Sequence, residues 1–261
     1  MVMPMKELIS QICGLVRRCG DIMLSADRSH MQVDSKEGAA NFVTEYDSRV
    51  QEVLSAGLRE ILPSARFIGE EGERTSLPEQ GFCFIVDPID GTTNFIKDYH
   101  MSSISVALLS DGAPYIGVIY NPYLNEMYWA GRGIGAFCNE TPIRVSSQPL
   151  SRGLVLFGTS PYNRRLAPET FRLAYACYMQ ALDIRRSGSA ALDLCAIAAG
   201  RAELYIELTL SPWDYAAGSL LIAEAGGRIT TLEGEPLRFD KPCSVLACNG
   251  VATLPGGFSC S

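Results

Sequence analysis

FCFIVDPIDGTTNF, residues Phe82 to Phe95, joins an apolar run to a pair of aspartates and a Gly-Thr-Thr turn. Its first five residues, Phe82-Cys83-Phe84-Ile85-Val86, form an apolar run with the β-branched and aromatic content of a strand buried on both faces. The strand is expected to end at Val86, because Pro88 cannot donate to a sheet ladder and bends the chain away. Asp87 and Asp90 then share one strand end. Gly91 permits a tight turn and close approach to the backbone, and Thr92-Thr93 can open a short helix whose free N–H groups face the same point. Carboxylates hold hard cations and helix N-termini hold phosphate oxygens, so the pattern suits a site where magnesium meets a phosphate group. Taken singly, Asp-Pro and Asp-Gly are ordinary turn formers.

The chain around this stretch has 261 residues and 47% hydrophobic content, ample for a sizeable core. No Pro/Ser/Gly-rich linker interrupts it, so residues 1–261 read as one domain with halves of about 1–147 and 148–261. Lys plus Arg number 22 against 29 Asp plus Glu, a net charge of −7 that argues against nucleic acid as the primary ligand. Acidity does not exclude an anionic substrate, because bound magnesium inverts the local sign of a carboxylate cluster. Nine cysteines occur without a CxxC pair or a zinc spacing, which reads as small buried hydrophobes in a reducing cytoplasm. No run of signal-peptide length opens the chain, and no stretch of about 18 apolar residues suits a bilayer. The two histidines, His30 and His100, are too few for a histidine metal cluster and read as surface or satisfied polar residues.

Leu8, Ile12, Leu15, Val16, Cys19, Ile22 and Met23 share one helical stripe, which predicts an amphipathic helix over residues 5–26 on a sheet face. Asp27 to Asn41 reads as a polar loop in which Lys36, by itself, is merely solvated. Val50, Val53, Leu54, Leu58, Ile61 and Leu62 predict a second helix that starts near Thr44 or Asp47 and closes at Pro63. Asp47 at its start would ordinarily be a cap. Phe67-Ile68-Gly69 is a short strand ending in Glu70 and Glu71, which most often would be surface acids. Turn signals at Asp111-Gly112, Asn121-Pro122, Gly131 to Gly133 and Asn139-Glu140 divide Ser103 to Val145 into an antiparallel meander. From Leu154 the pattern alternates: LVLFGT, a helix near 165–181, DIRRSG, an Ala-rich helix over about 189–199, and ELYIEL. The fold class is therefore α/β (α+β). In Ser211-Pro212-Trp213-Asp214, Ser211 can cap and Pro212 suits the first turn, which places Asp214 at a helix N-terminus. Alone, such an aspartate is structural more often than catalytic.

DPIDGTTNF resembles the signature of the inositol monophosphatase family of magnesium-dependent, lithium-sensitive phosphatases. WDYAAG at 213–218, followed by EAGG at 224–227, resembles the family's second signature, and the likeness covers essentially the whole chain. It implies a layered αβαβα sandwich of the sugar-phosphatase type and two to three Mg2+ ions per site. Glu70, Asp87 and the carbonyl of Ile89 would hold a first ion; Asp87, Asp90 and Asp214 would hold a second; a third would lean on Glu70 and waters. Phosphate monoester dianions hydrolyse extremely slowly, so attacking and leaving oxygens both need stabilisation. The resemblance also implies that Thr92, hydrogen-bonded to Asp47 and supported by Glu70, orients and deprotonates a water, with no covalent phosphoenzyme. Gly91 and Thr92 would cradle phosphate through their N–H groups, Lys36 would be a loop residue near the metals, and a homodimer is expected.

On the substrate side, the resemblance matches Glu207 to a glutamate that binds inositol hydroxyls, with Ser189 and Ala190 as the adjoining pocket wall. Position alone leaves Glu207 open as a surface acid, an interface residue or a hydroxyl acceptor. The segments FGTSPY at 157–162 and LTLSP at 208–212 match no subfamily. Relatives that act on sulfated nucleotides or histidinol phosphate carry a basic residue where Thr93 stands, which favours an inositol-type polyol phosphate. The alternatives are a sugar bisphosphatase or nucleotide phosphatase on the same fold, or a catalytically silent regulatory protein.

Overall fold

The computed structural model describes residues 3–35, 42–72 and 76–256. The helices are α1 (Met5–Leu24), α2 (Glu45–Ile61), α3 (Thr92–Ile96), α4 (Ala167–Tyr178), α5 (Ala190–Ala198) and α6 (Pro212–Glu224). Strands β1 (Val33–Ser35) and β2 (Phe42–Thr44) pair antiparallel. β3 (Arg66–Gly69), β4 (Phe82–Asp90), β5 (Ser103–Ser110), β6 (Ala113–Asn121), β7 (Glu126–Gly131), β8 (Gly135–Cys138) and β9 (Thr141–Pro142) form one sheet in sequence order. β3 and β4 are parallel, and β4 to β9 make the expected antiparallel meander. β10 (Leu154–Phe157), β11 (Asp183–Arg185), β12 (Leu204–Leu210), β13 (Arg228–Thr230) and β14 (Cys243–Cys248) form a second, mixed sheet in the order β11-β10-β12-β14-β13.

Burial alternates along nearly continuous apolar strands because both faces of each sheet are covered. Phe84, Val86, Val106, Leu108 and Val118 face a core with α1 and α2, whereas Ile85, Ala107, Leu109 and Ile119 face a second core with α5 and α6. Tyr205, Val245 and Ala247 of the mixed sheet close that second core from the other side. Leu204, Ile206, Leu246 and Val155 face a third core under Leu173 and Cys177 of α4. The layers are thus two helices, a sheet, two helices, a sheet and a helix, the αβαβα sandwich.

The first two helices start and stop close to where the sequence places them. α1 turns the predicted stripe inward, and α2 opens on a capping box in which Thr44 and Asp47 bond each other's backbones. α4 and α5 are shorter than the predicted 165–181 and 189–199. The region read as a loop from Asp27 onward contains β1, whose exposed residues carry no apolar signal. Lys36 lies outside the described residues.

One expectation is corrected: β4 does not end at Val86 but runs to Asp90. Between Asp87 and Asp90 its register on β5 slips by one residue, since Asp87 faces Ser105 while Asp90 faces Ser103. The bulge accommodates Pro88 inside the strand. β3 pairs with β4 only as far as Val86, so on that side no ladder bond is lost at Pro88.

The two sheets are held apart by α6, and the helix approaches the first sheet closely at Gly117. A Cβ there would stand 2.6 Å from the Ala217 carbonyl oxygen, a backbone atom that cannot swing away. Gly117→Ala is expected to destabilise the chain by about 1–3 kcal/mol through overpacking. Gly14→Ala is the control: it lies within α1 with nothing inside 4 Å of the added carbon, and is expected to stabilise by about 0.5–1 kcal/mol. Urea unfolding of both variants measures the opposite signs.

Candidate active site

Every residue implied for the site, Lys36 apart, reaches the same junction between the two sheets. The β4 bulge points Asp87 and Asp90 there, both buried. α6 begins beside them; its Ser211–Asp214 capping box leaves Asp214 Oδ2 2.7 Å from the Ser211 N–H that it accepts. One carboxylate oxygen from each of Asp87, Asp90 and Asp214 lies within 4.8 Å of the others. Glu70 follows β3, its N–H donating to Val86 O at 3.0 Å, and its carboxyl is in hydrogen-bonding contact with Asp87.

Gly91 joins β4 to α3 at φ 87°, and a Cβ there would stand 2.9 Å from Met101 O and 3.2 Å from Gly188 O. Only glycine suits both the conformation and the space. The Thr92 hydroxyl, the first residue of α3, lies 3.3 Å from Asp47 Oδ1 and 3.2 Å from Ile89 O, either of which can accept its proton. Asp47 Oδ2 accepts the Thr44 N–H at 2.7 Å and the Thr44 hydroxyl at 2.6 Å. Asp47 is therefore both the cap and the group facing Thr92.

A cavity of about 180 Å³ opens over this junction. Asp90, Gly91, Thr92, Asp214, Ser189 and Ala190 line it, with Glu207 on the far wall. Ser189 caps α5 and donates to Asp90 Oδ2, which also accepts the Ala191 N–H at 2.9 Å. The wall also includes Ser160, Arg186, Asp193 and Tyr205, none of which the sequence reading singled out. Asp193 carried a legible signal, as the one charged residue in a helix of Ala, Leu, Cys and Ile. Ser160 carried a weaker one, inside the segment 157–162 that matched no subfamily.

The profile of the Inositol monophosphatase family matches residues 5–256. The chain belongs to this family. It is 35% identical over 243 residues to the Bacillus subtilis inositol-1-monophosphatase, covering 90% of this chain and 89% of that one. It is equally 35% identical, over 232 residues, to the Vibrio cholerae protein named Nus factor SuhB, covering 88% and 87%. The crystal structure of the Bartonella henselae extragenic suppressor protein suhB superposes with a TM-score of 0.86 at 33% identity, covering 93% of this chain and 94% of that one.

The inositol monophosphatase family is magnesium-dependent, and the electrostatics of the acid cluster fit such an ion. Burial, then the charges of Glu70, Asp90 and Asp214, holds the Asp87 carboxyl well above the usual carboxylate range. Burial, then Asp90 and Glu70, does the same to Asp214. Burial pushes Asp90 up to about 6 against the opposing bonds from Ser189 and Ala191, and pushes Asp47 up to about 6 against those from Thr44. Repulsion among buried carboxylates is relieved by a divalent cation, and all-oxygen donors suit a hard one.

The sign of the pH effect follows from these shifts. A carboxyl whose folded pKa exceeds its unfolded value keeps its proton longer when folded, so its stability contribution is present at low pH and lost as pH rises through the folded value. For Asp47 and Asp90 that loss runs from 3.8 to about 6, and for Asp87 it extends higher. Asp87→Asn keeps the Oδ1 that accepts the Ile89 N–H and removes the charge. In EDTA at pH 8 it is expected to raise the thermal midpoint by about 2–4 °C, a gain of ~1 kcal/mol that shrinks toward pH 5. Magnesium should then stabilise the wild type and barely affect the variant. Scanning calorimetry with and without metal measures both, and a variant less stable than wild type in EDTA at pH 8 contradicts this electrostatic account.

Proposed function

We propose that this chain hydrolyses phosphate monoesters of polyols with magnesium, and that its preferred substrate is myo-inositol 1-phosphate. The observation that carries the reading is the convergence of Asp87, Asp90 and Asp214, from β4 and α6, at a cavity that also exposes Gly91 and Thr92. Glu70, Asp87 and the Ile89 carbonyl would hold one ion, and Asp87, Asp90 and Asp214 another. Magnesium held by these residues would supply a lowered pKa for the attacking water and charge stabilisation for the departing alkoxide. Gly91 and Thr92 receive phosphate oxygens on their N–H groups. The Thr92 hydroxyl takes a proton from the attacking water as it gives its own to Asp47, so that the water attacks as hydroxide and Asp47 becomes neutral, with Glu70 supporting the route. Ser189, Ala190 and Glu207 border the polyol, and Lys36 belongs to a loop near the metals.

The retained carboxylates favour an enzyme over a silent fold, although several relatives are named Nus factors, as the Vibrio cholerae protein is. In a regulatory reading the same cavity would be idle. Lithium inhibition, a homodimer, a cytoplasmic setting and one domain spanning residues 1–261 complete the proposal. Among the described residues, no helix is long and apolar enough to cross a membrane.

Phosphate release from a panel of inositol, sugar bisphosphate, nucleotide and aryl esters, with magnesium and with EDTA, separates these readings. The expected result is magnesium-dependent turnover led by the inositol ester, and Asp90→Asn is expected to lower it by about 100-fold or more while the fold persists. No release from any ester at saturating magnesium favours the regulatory reading.

Thr92→Ala and Asp47→Ala are each expected to depress kcat, with the double variant little worse than the poorer single one, because groups in one relay are not additive. Steady-state kinetics of the four proteins tests this. Losses that multiply show two independent contributions.

A further inference from the structure

Glu70 is placed differently from the other acids of the cluster. Asp87 and Asp90 ride on β4 and Asp214 on the first turn of α6, whereas Glu70 lies one residue beyond β3, in a stretch through Gly72 that is neither helix nor strand. Its own N–H is anchored on Val86 O at 3.0 Å. Its carboxyl meets Asp87, a like charge, and repulsion drives an acid on such a stretch outward unless the backbone on its far side is fixed too.

Gln51 supplies that second anchor. It is a half-buried residue of α2 whose Oε1 accepts the Glu71 N–H at 3.0 Å and whose Nε2 donates to the Glu71 carbonyl. One amide thus meets both polar groups of one residue's backbone, as a neighbouring strand would, at the point where β3 has run out. The approach is close: a Cβ on Gly69 would stand 2.2 Å from Gln51 Oε1, so the strand end is bare where the amide lies. Glutamine fits because it carries one donor end and one acceptor end; a glutamate here would turn an oxygen toward the Glu71 carbonyl. Asp47 and Gln51 stand four residues apart on one face of α2. A single helix therefore carries the group that faces Thr92 and the grip on the backbone after Glu70.

We infer that Gln51 is a positioning residue for Glu70. It does not line the cavity; it pins the peptide that follows Glu70, so that the carboxylate stands beside Asp87 before a cation arrives. The inference rests on the reading of these acids as a magnesium site. Its energetic signature has two sides: the grip holds Glu70 against its neighbours' charge in the metal-free chain, and it spares the cation the cost of drawing a wandering ligand into place.

The test is manganese binding to the metal-free full chain, followed by titration calorimetry for wild type, Gln51→Leu, Gln51→Asn, Glu70→Gln and the double variant Gln51→Leu/Glu70→Gln. Groups that orient a metal ligand are worth about 10- to 100-fold in affinity. Gln51→Leu is expected to weaken manganese binding by about 10-fold, at the low end of that range because its hold acts through one intervening peptide. Gln51→Asn, whose amide falls one methylene short, is expected to do the same. In the Glu70→Gln background the leucine is expected to cost little more, because its effect runs through Glu70. Thermal midpoints make the same distinction: Gln51→Leu is expected to lose more with manganese than in EDTA, whereas a residue that only supports the fold lowers both equally. Unchanged affinity in both Gln51 variants, or a loss that persists undiminished in the Glu70→Gln background, overturns the inference. A wild type that binds no manganese rejects the metal reading and this inference with it. A wild type that binds manganese, less tightly in Gln51→Leu, yet releases phosphate from no ester rejects the phosphatase reading and upholds the role of Gln51.

Discussion

The mutual repulsion of buried carboxylates is the constraint on which the rest of this structure depends. Asp87 and Asp90 are buried and Asp214 is half-buried; one carboxylate oxygen of each lies within 4.8 Å of the others, and Glu70 joins them. Such a cluster opposes folding unless a cation occupies it, so the surrounding fold has to hold it open against its own charge. The holding elements are rigid ones. A buried strand carries two of the acids, a capped helix carries the third, and cores on both faces of the first sheet fix their relative positions.

The same logic explains why the site collects so many N-termini. α2, α3, α5 and α6 all begin at the junction, so unpaired N–H groups and partial positive charge face the acids. Asp47 caps α2 with one oxygen and turns the other toward Thr92, and Asp214 both caps α6 and belongs to the acid cluster. Ser189 caps α5 and donates to Asp90. Capping and site-building are thus carried out by the same side chains. This is why an ordinary cap signal in the sequence and a place at the cavity belong to the same residues.

Much of this was legible because the relevant signals are local. Apolar stripes, a Pro after a Ser, and turn residues at regular spacing mark α1, α2, α6 and the meander without reference to distant parts of the chain. The β4 bulge was not legible, since Pro88 breaks a strand unless the partner ladder has already ended, and only the pairing with β3 reveals that it has. β1 was missed for a related reason: an exposed strand held by a single neighbour needs no apolar pattern. Ser160 and Asp193 come to one cavity wall from segments far apart in sequence, so their place there emerges only from tertiary structure.

The central claim is that these acids exist to hold divalent cations at a phosphate-binding cavity. Anomalous diffraction from crystals of the intact chain grown with manganese, a magnesium substitute with a measurable signal, tests it most directly. The account predicts a manganese peak enclosed by Asp87, Asp90 and Asp214, with Glu70 beside it. Crystals that bind manganese elsewhere while leaving this cluster empty would contradict it.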